Sequence, residues 1–203
     1  MNEHKQGLVD IGRLVLRFAR VDRVTLHEDG ITPESDTDHT VMLSVCACAL
    51  ADALYKDKLD IGKVAQFAIV HDLVEAYAGD TDTFNISDAM RVDKERREHE
   101  AFEKIQKEFA DVYPWIATTI QDYESLSTDE AQFVKMVDKV MTKLTHRINH
   151  GAHLKAEHKT KEETLRHYGN QADILEDKYG KKFPEVIKIL RTLTDEIIQE
   201  TYV

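Results

Sequence analysis

The stretch from Leu59 to Tyr77 constrains the fold of this chain more than any other. Its apolar residues, among them Leu59, Ile61, Val64, Phe67, Ala68, Ile69, Val70, Leu73 and Val74, cover most of the circumference of a helix. Such a helix has no solvent face and must be surrounded by other elements. Those elements read as helices too. Only three prolines and eight glycines occur in 203 residues, and no segment alternates apolar and polar residues long enough to predict a strand. The expected class is all-α, a helical bundle closed around a central helix.

In chain order, an amphipathic helix is expected from about Glu3 to Ala19 or Val21, with Leu8, Ile11, Leu14, Val15 and Phe18 as its stripe. Residues 22–36, with Gly30 and Pro33, read as a connecting loop. Ser35, Asp36 and Thr37 are candidate N-caps for a helix that ends near Tyr55. After the central helix comes the polar loop GDTDTFNISD. A long helix then runs from about Asp88 to Ala110, its charges at turn spacing marking a solvated face. Pro114 and Trp115 open a short helix to about Tyr123. Ser127 or Asp129 caps the next, whose apolar side is Phe133, Val134, Val137, Val140, Met141 and Leu144. Two more amphipathic helices are expected from about Lys159 to Tyr179 and Pro184 to Tyr202. No linker or repeat divides the chain, so residues 1–203 are expected to form one domain.

Composition excludes some partners. A net charge of −11 argues against a duplex nucleic acid, which needs a basic surface. No apolar run approaches the roughly 20 residues that span a bilayer, and MNEHKQGLVD lacks the order of a signal peptide, so no membrane partner and a cytoplasmic location are expected. Cys46 and Cys48 read as small core residues, with no C-x-x-C motif.

Four polar groups sit against the logic of their helices. His71 and Asp72 lie in the central apolar helix. Asp138 lies mid-helix beside an apolar face, with neither a cap nor a dipole role. His39 lies in a first turn, where the dipole favours the neutral imidazole that a metal requires. Two neutral imidazoles and two carboxylates would neutralise one divalent cation. Mixed, oxygen-rich ligation of this kind suits Mn²⁺, Co²⁺, Fe²⁺ or Mg²⁺ more than a structural zinc. A six-coordinate ion would keep two positions open, one for water and one for a substrate oxygen.

In their order, His39, His71-Asp72 and Asp138 resemble the H…HD…D signature of the HD-domain metal-dependent phosphohydrolases, and HDLVEAYAGD resembles the HD-x-x-E-x-x-x-x-D pattern of the 5′-deoxynucleotidase branch. The signature spans residues 39–138. The resemblance implies an HD-domain helical bundle and hydrolysis of nucleoside 5′-monophosphates, or of a related small phosphate ester, by a metal-activated water. It implies acid and base roles for Glu75 and Asp80, unassigned between them, and a phosphate-holding arginine before the first ligand, Arg23 or else Arg20. Lys139 is a further phosphate candidate. The chain departs from the branch at Val24, where a tryptophan is usual, and at Thr81-Asp82-Thr83-Phe84, which replaces a proline-rich turn. Both departures bear on substrate choice. The amphipathic helices and the resemblance together lead us to expect a homodimer.

Two rival readings compete. His146 and His150, four residues apart, could bind a separate metal, but the glutamate of an HExxH site is missing and the helix dipole accounts for them. A catalytically weak HD module that binds a nucleotide or a metal as a sensor or scaffold would need only the four ligands. Retention of Glu75 and Asp80 favours the enzyme.

Overall fold

The computed structural model of the chain describes residues 2–84 and 86–202; Met1, Asn85 and Val203, which belong to the expected 1–203 domain and the expected 79–88 loop, lie outside it. Helix α1 (Asn2–Phe18) buries Leu14 and Phe18, but Leu8 is 61% exposed and Val15 44%, so only the inner part of its apolar stripe is used.

The expected loop over 22–36 is instead an antiparallel hairpin of β1 (Asp22–Leu26) and β2 (Pro33–Ser35). Its turn is built locally. The Asp29 carboxylate accepts from the Ile31 and Thr32 amides at 2.9 and 2.8 Å, and Gly30 takes the left-handed φ of 68° that the reversal requires. Strands this short carry too little alternation to be read from sequence.

Of the three candidate caps, Ser35 serves α2 (Asp36–Tyr55). Its hydroxyl accepts from the Asp38 amide at 3.2 Å, and the Asp38 carboxylate returns to the Ser35 amide at 3.0 Å. The expected helix from Leu59 to Tyr77 is broken in two: α3 (Ile61–Val70), capped by Asp60, and a single turn, α4 (Glu75–Ala78). Residues 71–74 between them form tight turns through bonds of the i→i+3 kind, Leu73 N to Val70 O at 3.1 Å and Glu75 N to Asp72 O at 2.8 Å. The cause is a side chain. The Ala68 carbonyl accepts from the His71 ring at 2.9 Å, which ends the regular ladder.

The remaining helices follow the expected pattern within a residue or two: α5 (Asp88–Phe109), α6 (Trp115–Glu124), α7 (Asp129–Ile148), α9 (Lys161–Tyr179) and α10 (Pro184–Thr201). Thr128, rather than Ser127 or Asp129, caps α7. The short α8 (Ala152–Ala156) was not expected. Residues from all sides of α7 are buried, including Met136, Lys143 and His146, so α7 is a second central helix beside α3.

Two apolar clusters result. One joins α2, α3, α7, α9 and α10 around Leu43, Phe67, Phe133 and Met136; the other joins α1, α5 and α6 with Val70 and Val74 around Phe18, Ile105 and Ile120. Residues 71–75 lie where these clusters meet. Among the described residues, no helix is long and apolar enough to cross a membrane.

Candidate metal centre

One ligand atom from each of His39, His71, Asp72 and Asp138 lies within 4.8 Å of the other three. Three different segments deliver them: the first turn of α2, the tight turn after α3 and the middle of α7. Each imidazole is oriented by its outer nitrogen. His71 Nδ1–H donates to the Ala68 carbonyl at 2.9 Å, which leaves Nε2 as the lone-pair side, 2.9 Å from Asp72 Oδ2 and 3.9 Å from Asp138 Oδ1. His39 Nε2 is 3.0 Å from Asp138 Oδ1, and its Nδ1 faces Glu34 Oε1 at 3.8 Å. Glu34 is itself buried and accepts from the Thr25 hydroxyl. A carboxylate or carbonyl behind each imidazole is the usual support of a metal-binding histidine.

These residues fit a divalent cation. His71 Nε2 is buried without a hydrogen-bond partner and points at two carboxylates, an orphan atom that a cation would satisfy. Burial opposes the charge on Asp72, yet its pKa lies far below the usual carboxylate range, with the Arg23 guanidinium 3.1 Å from its Oδ2. Asp138 is likewise kept ionised against burial, by Lys139 and His39. Burial also disfavours a charged His39, but its bonds to Asp138 and Glu34 carry its pKa up to about 9. The site therefore concentrates negative charge, and a proton serves it where no metal is bound.

The centre opens on a cavity of about 240 Å³. Arg23, Glu75, Asp80 and Lys139 line it together with His71, Asp72 and Asp138. Arg23, from β1, reaches Asp36 Oδ1 and Asp72 Oδ2, each at 3.1 Å, and Glu75 Oε2 at 4.0 Å. Lys139 Nζ is 2.8 Å from Asp138 Oδ2. Arg20, the other phosphate candidate, is exposed in the turn after α1 and lies outside the cavity lining, because the chain reverses into β1 between it and Arg23. Glu75 is almost fully buried, and burial, Asp72 and Asp80 push its pKa well above the ordinary range. Asp80 follows Gly79, whose φ of 74° turns the chain out of α4. Arg97 ties this segment to α5 through the Ala78 carbonyl and the Thr81 hydroxyl.

Sequence reasoning missed three residues here. Lys94, on the helix read as a solvated face, turns inward and donates to Glu75 Oε1 at 3.2 Å. Nothing in its i,i+4 pattern separates it from its exposed neighbours. Asp36, considered only as a cap, is completely buried as the anchor of Arg23, with its pKa pushed up to about 6 by burial. Glu34 lies in the segment read as loop. Strands too short to show alternation gave no signal for it. The rival pair does not form a site, since His146 is buried against Tyr168 while His150 is exposed and faces Glu200. The residues at both departures from the branch, Val24 and Thr81 to Phe84, line the cavity.

A sequence profile of the HD domain matches residues 16–179. The chain is similar to a 5′-deoxynucleotidase of Mus musculus, 33% identical over 138 residues, and to that of Homo sapiens, 32% identical over 139 residues. These matches span 66% of this chain and 65% and 64% of the relatives, short of two thirds of their length. Its fold is similar to that of a predicted metal-dependent phosphohydrolase from Magnetospirillum magnetotacticum, with a TM-score of 0.78 and 23% identity over 98% of this chain and 95% of the other. A conserved hypothetical protein from Pyrococcus furiosus superposes with a TM-score of 0.64 and 26% identity, over 91% and 99% of the two chains.

Proposed function

The chain belongs to the HD-domain family, and from that premise we propose that it is a metal-dependent phosphohydrolase releasing phosphate from nucleoside 5′-monophosphates. One observation carries the reading: the four converging His and Asp ligands open on a cavity whose wall adds Arg23, Lys94 and Lys139. That is a cation site beside cations suited to a phosphate dianion. The relatives named 5′-deoxynucleotidases support the substrate class.

In this reading His39, His71, Asp72 and Asp138 hold one divalent ion. When bound, such an ion polarises a phosphoryl oxygen and lowers the pKa of a coordinated water. The chain's own groups do the rest. Arg23, held by Asp36, and Lys139 receive the phosphate oxygens and fix the phosphorus in line with the water. Asp80, at the rim, takes the proton from the water as it attacks. Glu75, whose burial favours its protonated form, gives its proton to the ester oxygen as the bond to phosphorus breaks. Lys94 steadies the Glu75 carboxylate for both halves of that exchange. We read residues 1–203 as one HD domain, acting as a soluble homodimer.

The test is phosphate release from a panel of nucleoside monophosphates after chelator stripping and reloading with Mn²⁺, Co²⁺ or Mg²⁺. Activity should return with metal, vanish in Asp72→Ala and fall about a hundredfold or more in Glu75→Gln. A metal-loaded protein that releases no phosphate, or a Glu75→Gln variant as active as the parent, refutes the mechanism.

A further inference from the structure

Beyond the metal centre the lining of the cavity continues along α7 and α9 to residues that the phosphate chemistry leaves unused, its far lobe. Asp138, Lys139, Thr142 and His146 all line it from one helix. His146 lies eight positions after Asp138, about 12 Å at the helical rise. Nucleotide phosphates and their bases are spread over a comparable reach. The walls of this lobe are aromatic. Phe84, from the turn after Asp80, stacks on His167 of α9 with ring centres 4.3 Å apart and planes at 21°, and Tyr168 meets the Phe84 ring edge-on at 6.4 Å.

The polar groups at its base have a fixed sense. Burial raises the Tyr168 hydroxyl pKa and lowers that of His146 to about 3, so the phenol keeps its proton and the imidazole is neutral. The buried hydroxyl meets His146 Nδ1, and donating to it is its way of being satisfied. That places the imidazole proton on His146 Nε2, which is buried without a partner. Gln171 is oriented in the same manner. Lys143 Nζ donates to the Gln171 carbonyl oxygen, which turns the amide NH₂ the other way. His146 and Gln171 both line the cavity, and in these orientations the hydrogens they have left to give are the Nε2–H and the amide NH₂.

We propose that this lobe is a base subsite that selects oxo bases: thymine, uracil and guanine over cytosine and adenine. The base lies against the Phe84–His167 wall, and its carbonyl oxygen accepts from His146 Nε2–H and the Gln171 amide. An exocyclic amino group at that edge would face donors with donors and leave them all unpaired. The proposal deepens the nucleotidase reading and rests on it for the phosphate end of the substrate. It assigns a role to the Phe84 turn, where the chain departs from the branch it resembles.

Steady-state kinetics of the Mn²⁺-loaded protein on dTMP, dGMP, dCMP, dAMP and the baseless 2-deoxyribose 5-phosphate test it. The oxo nucleotides should have about tenfold higher kcat/KM than the amino ones, mainly through KM. His167→Ala should raise KM for nucleotides about tenfold while leaving 2-deoxyribose 5-phosphate unchanged. Gln171→Leu should erase the preference between oxo and amino bases. Equal KM for dTMP and 2-deoxyribose 5-phosphate, or a base preference that Gln171→Leu leaves intact, overturns the subsite. If no ester is hydrolysed, the phosphohydrolase reading falls and thymidine titration decides the subsite by itself. Shifts of the His167 imidazole signals with thymidine but not with deoxycytidine support it, and no shift overturns it.

Discussion

Lys143 is completely buried, and its replacement by methionine gives a prediction of definite sign. Its ammonium donates to the Gln171 amide and lies 4.2 Å from the centre of the Tyr168 ring. Among the described residues no carboxylate lies within ion-pair distance of it, and burial, with Lys139 one turn away, lowers its pKa from 10.5 to about 7. A fall of that size corresponds to on the order of 5 kcal/mol against the charged form. The folded pKa is depressed, so the unfolded chain binds more protons between about pH 7 and 10.5 and stability rises across that window. Its contribution is fully present above 10.5 and is lost as the pH falls through about 7. Methionine fills the space without a charge to desolvate. Lys143→Met should therefore be more stable than the parent by about 2 kcal/mol near neutrality, after loss of the amide bond and the ring contact. Toward pH 10.5 that advantage should disappear and reverse, a swing on the order of 4 kcal/mol. Urea denaturation of both proteins across the window measures the gap, and a gap that does not change with pH refutes the reasoning.

Other perturbations follow from the same structure. Arg23→Ala leaves the buried Asp36 carboxylate without its partner and should cost about 3 kcal/mol at neutral pH in the metal-free protein. Asp36 already has a folded pKa of about 6, raised from 3.8, so the penalty on its ionised form appears as the pH rises through that value; the loss should be smaller at pH 5, by urea denaturation at both pH values. Gly151→Ala should destabilise by about 2 kcal/mol or more in the same assay, since φ there is +69° and a Cβ would sit 2.2 Å from Thr201 Oγ1. Ser35→Ala removes the capping box of α2 and should lower stability by about 1 kcal/mol, with a matching drop in melting temperature.

Helices were legible in the sequence because their signals are local. Apolar spacing and small capping residues placed α5, α9 and α10 within two residues of where they lie. The break between α3 and α4 was not legible. No glycine or proline marks it, and the apolar pattern runs straight through Val70 to Val74. What ends the ladder is the His71 ring taking a carbonyl three residues back, a choice the buried surroundings impose. The hairpin was hidden for the opposite reason: its strands are too short to show a period, and the Asp29–Gly30 turn does the work of bringing them together.

The four candidate ligands were legible as misfits, polar groups on helices with no solvent face for them, and the structure brings them together. The same logic reaches only part of the site. Lys94 and Asp36 sit where a solvated charge or a cap is the ordinary expectation, and only the packing of α5 and β1 turns them inward. His146 and Lys143 are a different case. They lie on α7 beyond Asp138, on a helix buried on most sides, and are as misplaced there as Asp138 itself. A helix C-terminus gave His146 an acceptable reason for being basic, and that reason concealed its burial. A dipole explains a cation that water can reach. Where the helix before it already buries Val140 and Met141, a histidine has to be explained by what it faces, and His146 lines the cavity.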